Sequence, residues 1–354
     1  MVLVDATTAA INRLLALAKS WLSEEASGAG DVVVVLQKDQ ELEATAFLAD
    51  LGQSCGINCS PGAHSSSVKL TVNGKIVDQT ISVRDGRPQF DSAWPVVDGM
   101  KGAVISPGPE LAANLDMSQS SRLHGAALRK LGLKRGRNEI SYSWPNAGGM
   151  KLLEASIFLM EAASRVVVVN LDGFVQRGKH GCLIPATTVF ESSSCTRTLR
   201  QIAQNGYHFL YVSSRFSVAR ATEIRRILFQ DLALPNMPVI LDPTRPTSTS
   251  LEGQPRMSCQ RFTAEVLREL RAAHGHNPFV ALFTTPQDRH LDQQAVAAPR
   301  SRSYFPDADS PSGWASGIAA SPLETEVIEL AFPKLNSKAC FGFVDYSNPI
   351  YYSS

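Results

Sequence analysis

Val166-Val167-Val168-Val169-Asn170-Leu171-Asp172-Gly173-Phe174 is the stretch on which the reading of this chain turns. Four consecutive β-branched residues predict a strand buried on both faces, and the polar residues after it predict a loop at its carboxyl end. In an open α/β sheet that is where ligands and chemistry are placed. Two of the loop residues, Asn170 and Asp172, carry side-chain oxygens, and Gly173 permits a tight turn.

The chain has 354 residues, enough for a sizeable core and roughly two domains. Its net charge of +1 gives no bulk attraction to nucleic acid, and no nucleic-acid partner is expected. No apolar run approaches the roughly 20 residues that span a bilayer. The start, Met1-Val2-Leu3-Val4-Asp5, lacks a basic region followed by a long apolar core, so the expectation is a cytoplasmic, non-secreted protein without a transmembrane segment. Six scattered cysteines (Cys55, Cys59, Cys182, Cys195, Cys259, Cys340) read as reduced thiols, not as a disulfide framework or a zinc site.

Upstream, residues 8–22 follow helical spacing, with Leu14, Leu15, Ala18, Trp21 and Leu22 on one face. That face can pack on its own domain or lie in a membrane interface, with Trp21 at the boundary. Val32 to Leu36 reads as a strand with a hairpin partner at Leu42 to Phe47. Val68 to Val72 reads as another, and Asn73-Gly74 after it is a strong turn signal with Ile76 to Val83 as the returning mate. These short strands point to a β-sandwich.

Residues 91–117 read as a Pro/Gly-rich linker, Ser118 to Leu131 as a short helix, and Glu139 to Ser143 and Leu152 to Met160 as strands. The basic cluster Arg129, Lys130, Lys134, Arg135 and Arg137 reads as a solvated turn.

Downstream the texture alternates. Strands are expected at Phe209 to Val212, Val239 to Leu241 and Phe279 to Phe283, with helices over Cys195 to Gln204, Val218 to Leu228 and Arg261 to Ala273. This pattern implies a mainly parallel sheet with helices on both faces. Arg300 to Gly317 reads as a Pro/Ser/Gly-rich loop, Glu324 to Phe332 as a helix, and Phe341 to Tyr352 as a last strand. His274 and His276 sit in a loop setting that does not suggest a metal site, and no G-x-S-x-G elbow is present for a serine nucleophile.

Gln204-Asn205-Gly206-Tyr207-His208-Phe209-Leu210-Tyr211-Val212-Ser213-Ser214-Arg215 resembles a segment of the lipin family, the magnesium-dependent phosphatidate phosphatases, of the form Q-N-G-Y-x-F-L-Y-x-S-A-R. Leu183-Ile184-Pro185 stands where that family has I-L-P. Glu326-Val327-Ile328-Glu329-Leu330-Ala331-Phe332-Pro333 is similar to its E-V-V-x-x-x-F-P, and the first 90 residues are similar to its amino-terminal conserved region.

The resemblance implies a haloacid-dehalogenase-like α/β domain (165–310) beside a split immunoglobulin-like sandwich. The sandwich would be built from residues 1–90, 118–164 and 320–354, with the first helix touching membrane. It also implies a reaction, phosphatidate to diacylglycerol and phosphate, with Mg2+ as cofactor and a membrane surface or protein partners.

In that family the loop after the strand reads D-x-D-G-T. The first Asp attacks phosphorus and the second handles the proton. Here the frame reads Asn170-Leu171-Asp172-Gly173-Phe174. The nucleophile position is lost and Asp172 keeps the acid/base position, although an Asx hydrogen bond to the loop is an equal reading of Asp172. Phe174 replaces the Thr and is expected to add bulk where phosphate or metal would sit. Ser213 and Ser214 fall at the phosphate-binding motif, with strand-end hydrogen bonding as the plainer role. Arg261 is the one cation near the motif that supplies Lys. Asp288 is a displaced candidate for the distal metal ligand, with Arg289 in the ungapped position. An amide for a carboxylate weakens the pull on Mg2+, so weak or absent metal binding and a silent site are expected. An active enzyme with displaced residues and an assembly subunit with no lipid role stand as alternatives.

Overall fold

The computed structural model describes residues 27–51, 68–77, 81–84, 87–90, 122–123, 125–146, 149–177, 183–186, 193–242, 256–285, 296–298, 300–307, 310, 312–316 and 330–335. The expected first helix, the 91–117 linker, the Phe341 to Tyr352 strand, Asp288 and Arg289 lie outside these residues, as do residues 324–329 of the expected Glu324 to Phe332 helix.

Two six-stranded sheets organise the molecule. The first is made by β1 (Val32–Leu36), β2 (Leu42–Ala44), β3 (Lys69–Val72), β4 (Lys75–Ile76), β5 (Gly136–Asn146) and β6 (Gly149–Glu161), in the spatial order β2-β1-β6-β5-β3-β4. Only β1 and β6 pair in parallel, with Ile157 beside Val32. Asn73 and Gly74 close the β3–β4 turn at φ +49° and +77°, the left-handed pair that a two-residue hairpin of matching twist requires. The mate is shorter than the sequence suggests. It stops at Ile76, and Ile81–Arg84 pairs instead with Arg87–Phe90, because Ile81 is needed in the core of the first sheet.

The second sheet holds β7 (Val166–Asn170), β8 (His208–Ser217), β9 (Val239–Asp242), β10 (Phe279–Phe283), β11 (Ser303–Pro306) and β12 (Trp314–Ser316), in the order β9-β8-β7-β10-β11-β12. All neighbours are parallel except β11 and β12. Numbered from β7, this is the 3-2-1-4-5-6 arrangement of doubly wound sheets, and the order reverses at β7 itself. Arg300 to Gly317 is therefore not a plain loop. Tyr304 and Trp314 are buried in it and stack around Phe283, and two short strands suffice to place them.

Helices follow the alternation: α1 (Gly125–Lys130), α2 (Ser193–Gln204), α3 (Ala221–Arg225), which runs on as a π-helical turn Arg226–Asp231, and α4 (Arg256–His274). The expected helix at Ser118 to Leu131 contracts to α1. The cluster read as a solvated turn is partly engaged, with Arg129 on Glu41 (2.5 Å), Arg135 on Glu161 (2.8 Å) and Arg137 on Ser156 (2.9 Å).

The two valine runs explain how the sheets stack. Val32 and Val34 point into a core lined by Leu70, Ile140, Tyr142 and Trp144, while Val33 and Val35 point the other way. There they meet Val166 and Val168 of β7 and Val266, Leu267 and Leu270 of α4. Val167 and Val169 face a third core with Leu199, Ile224 and Leu228. Side chains alternate faces along a strand, so a strand with apolar layers on both sides needs an unbroken apolar run. Each buried valine contributes on the order of 1.5 kcal/mol or more. Among the described residues the outer side of the first sheet's core is closed by α1 and short strand pairs.

One buried ion pair clamps the two sheets. Asp31, just before β1, accepts from Ser156 N (2.9 Å) in the first sheet and Val239 N (2.9 Å) in the second. Arg225 of α3 meets the same carboxylate at 2.7 and 3.3 Å and donates to Ala29 O at 2.6 Å.

Candidate functional site

The site lies at the carboxyl end of β7, where the strand order reverses and the neighbouring strands part. Asn170 ends β7 beside Val212 of β8 and is buried. Its Oδ1 accepts from Asp172 N at 2.9 Å and so caps the 3-10 turn Leu171–Gly173. Asn and Asp cap equally well. Asn170 therefore holds the loop as an Asp would, without an ionised oxygen. An Asx bond to this loop is made by Asn170.

Asp172 reaches across the cleft instead. Its carboxylate accepts from the Ser213 and Ser214 hydroxyls, the latter at 3.3 Å, and pairs with Arg215 Nε at 3.6 Å. Its side chain is only 3% exposed. Ser213 Oγ also accepts from Arg215 N (3.0 Å) and Phe216 N (3.2 Å). A hydroxyl has two acceptor positions and one proton, so with both acceptors used the proton is directed at Asp172.

This geometry comes from an irregularity in β8. Ser213 pairs with Leu241 and Ser217 with the next residue, Asp242, so residues 214–216 are extra on β8. Such a bulge re-aims side chains, and here it turns Ser214 and Arg215 toward the cleft.

The far wall is Thr284 and Thr285, following β10. Thr284 is fully buried and its N–H bonds to Tyr304 O at 2.9 Å. A Cβ added at Gly173 would lie 2.2 Å from Thr285 Cγ2, so a side chain here forces the Thr285 methyl to shift. Phe174 corrects an expectation. It does not fill the anion site; it is buried in the third core with its ring 5.5 Å from Trp314. One 3-10 turn after the strand carries the chain around and points residue 174 inward.

Of the residues singled out from sequence, Asn170, Asp172, Ser213 and Ser214 come together. Arg261 lies on α4, but its side chain is outside the described residues, as are Asp288 and the residues 8–22 that include Leu14, Leu15, Ala18, Trp21 and Leu22. Arg215, Thr284 and Thr285 were missed as site residues. Arg215 stood in the family-like segment and its charge was the available signal. The threonines had none beyond following a buried strand.

The Mg2+ that the resemblance implies needs about six oxygen ligands, with one or two carboxylates among them. Asp172 is tied to two hydroxyls and a guanidinium, and Asn170 offers an amide already used as a cap. Among the described residues no three His, Cys, Asp or Glu side chains gather for a metal. The described donors by themselves do not fit the ion.

At the opposite end of the second sheet, burial lowers the pKa of His208 and of His274 below the usual 6.5. Glu161 partly offsets the shift at His208, and the Leu270 carbonyl partly offsets it at His274. His274 Nδ1 lies 2.7 Å from that carbonyl.

A family model described as LNS2 (Lipin/Ned1/Smp2) matches residues 119–312, more than half of the chain. The chain is 31% identical over 136 residues to nuclear elongation and deformation protein 1 of Schizosaccharomyces pombe, covering 36% of this chain and 20% of that protein. It is 25% identical over 182 residues to phosphatidate phosphatase LPIN1 of Homo sapiens, covering 49% of this chain and 20% of that one. The chain thus spans about a fifth of the length of these curated relatives. A hypothetical protein of known structure from Xanthomonas campestris aligns at 16% identity and a TM-score of 0.26, covering 55% of this chain and 91% of that one; the likeness is too weak to argue from.

Proposed function

Because the chain belongs to the LNS2 (Lipin/Ned1/Smp2) family, we propose that it is a lipin-like protein of the phosphatidate phosphatase type whose own site no longer turns over phosphoester. It acts by holding membrane lipid or a protein partner. The observation that carries this reading is Asn170. In the family reaction a carboxylate oxygen at this position attacks phosphorus, giving an acyl phosphate and releasing diacylglycerol, and water then frees phosphate. An amide oxygen is a poor nucleophile and carries no charge, so the first step has no agent.

Asp172, the only carboxylate that the described loop offers, faces β8 and is held there by Ser213, Ser214 and Arg215. It supplies neither a free nucleophile nor a free proton carrier. The scaffold around it is otherwise intact, with capped loop, bulged β8 and close-packed Gly173. A retained scaffold with a missing agent fits a binding role better than a damaged enzyme.

The membrane contact in this reading is the amphipathic segment 8–22, through Leu14, Leu15, Ala18, Trp21 and Leu22. No helix among the described residues is long and apolar enough to cross a membrane.

Purified protein with Mg2+ and phosphatidate micelles tests the catalytic half; release of phosphate that disappears on Asp172→Ala would show a working enzyme with displaced residues. Vesicle flotation tests the other half. Phosphatidate-containing vesicles are expected to carry the full chain and not a form lacking residues 1–22. No flotation of either form would favour a protein scaffold without a lipid role.

A further inference from the structure

We propose that the open half of the first sheet, at the β3–β4 turn and the β5–β6 hairpin, is a docking face for an anionic lipid surface. It is separate from residues 8–22 and from the cleft at β7, and it depends on neither.

One face of the first sheet is only half used. Along β6, Ser156, Phe158 and Met160 point to one side and are buried, and Phe158 and Met160 join the core shared with the second sheet. Met150 and Leu152 point the same way, because side chains two apart on a strand share a face. Yet they are 64% and 57% exposed. The cover ends at Ser156, since Glu154 is exposed as well.

Register carries the open face across the sheet. Met150 pairs with Pro145, Leu152 with Ser143, Ser143 with Lys69, and Thr71 with Ile76. Residues directly opposite lie on the same face, so Met150, Leu152 and Ile76 look outward together. Ile76 is 71% exposed. The reverse face of these strands is already filled, by Leu70, Val72, Trp144 and Leu153, so the core has no use for the three. Single exposed apolar residues need no explanation. Here three of the four large exposed ones among the described residues share one face.

Charge selects the occupant. Residues 68–77 and 143–153 hold Lys69, Lys75 and Lys151 and no Asp or Glu, in a chain whose net charge is +1. The acids on the same face, Glu139 and Glu154, lie toward the second sheet, with Glu139 opposite the buried Ser156. Lys69 stands on the face itself, and Lys75 and Lys151 stand at its rim.

A second copy is a poor occupant. A two-fold contact sets the face against itself and brings the lysines together. Three aliphatic side chains also fall short of the roughly 800 Å² per partner that a stable interface buries. Protein partners are ordinarily held by Trp, Tyr and Arg anchors. These two stretches contain no Tyr or Arg, and their one Trp, Trp144, is in the core. Aliphatic side chains bordered by lysines fit a lipid surface instead. The aliphatics enter the boundary between headgroups and acyl chains, and the ammonium groups stay at the level of the phosphates.

Flotation of the full chain on phosphatidylcholine vesicles, with and without phosphatidylserine, measures the binding, and hydrogen exchange with mass spectrometry locates it. Phosphatidylserine carries no phosphate monoester, so headgroup recognition in the cleft does not enter. The parent is expected to float with the anionic vesicles, less so at high salt, and the vesicles should slow exchange in residues 68–77 and 143–153. Changing Ile76, Met150 and Leu152 together to Ser should lower the partition by on the order of tenfold for each chain that inserts fully. Lys69→Gln with Lys75→Gln should lower it by about fivefold per charge, and this pair serves if the triple variant does not fold.

Unchanged exchange in both stretches overturns the proposal, as do folded variants that partition like the parent. Slowing confined to residues 8–22 also overturns it and leaves the reading of that segment standing; slowing confined to the two hairpins does the reverse. A dimer in sedimentation that Leu152→Ser dissolves, without vesicle binding, assigns the face to a second copy and overturns it too.

Discussion

Replacing Arg225 by methionine removes the cation from a carboxylate that the fold cannot return to water. The Asp31 side chain is 2% exposed and that of Arg225 16%. After the change Asp31 keeps two backbone donors, Ser156 N and Val239 N, each at 2.9 Å, but loses contacts at 2.7 and 3.3 Å from the guanidinium. Ala29 O and Glu154 O lose their Arg225 donor as well.

Removing one partner of a buried pair costs roughly 3–5 kcal/mol. The two surviving donors put this case near the lower end, at about 3 kcal/mol by the same principle. Asp31→Asn carries a similar penalty for a different reason: its NH2 must face a backbone N–H, donor against donor. The double variant should therefore lose less than the sum of the singles, with a coupling of about 1–3 kcal/mol. Urea unfolding followed by far-ultraviolet circular dichroism reads all three. An Arg225→Met protein within about 0.5 kcal/mol of the parent, the range of ordinary surface substitutions, would refute the clamp.

Three other outcomes follow from the same structure. Gly173→Ala forces the Thr285 methyl aside, at a cost of about 1–3 kcal/mol, and Thr285→Ser, which deletes that methyl, should restore most of the melting temperature. His208 and His274 have folded pKa values lowered by burial, so below about pH 6.5 the unfolded chain binds more protons than the folded one. Their contribution is intact above that pH and is lost as pH falls, by at most about 1.4 kcal/mol per pH unit for each proton; urea midpoints at pH 7.5 and 5.5 test this, and His274→Leu should flatten the slope. Phe174→Ala opens a hole beside Trp314 and should cost about 3–5 kcal/mol in urea unfolding; a loss within about 0.5 kcal/mol would place the ring outside the packed core.

What sequence could announce was local. The run Val166 to Val169 requires apolar layers on both faces, and Asn73-Gly74 requires a left-handed turn, so both elements could be read from a few adjacent residues. The Asp31 clamp could not, because its partners lie 125, 194 and 208 positions away and nothing in the neighbourhood of Asp31 marks it. The strands β11 and β12 were hidden by Pro, Ser and Gly around them; their warrant is the burial of Tyr304 and Trp314, a tertiary fact. At the site, family-like motifs pointed to Asn170, Asp172, Ser213 and Ser214, and the fold brings these four together. Side-chain direction was another matter. Phe174 turns inward after one 3-10 turn, and Arg215 turns toward the cleft through a bulge, and neither rotation is encoded in residue type.

The central claim is that Asn170 leaves the cleft without an agent to attack phosphorus. The direct measurement is covalent phosphoryl transfer from phosphatidate labelled with radioactive phosphorus, in Mg2+, acid-quenched and counted on the protein together with released phosphate. The account expects the parent protein to match a protein-free blank on both counts. Label on the parent, or release of phosphate that Asp172→Ala abolishes, would contradict it.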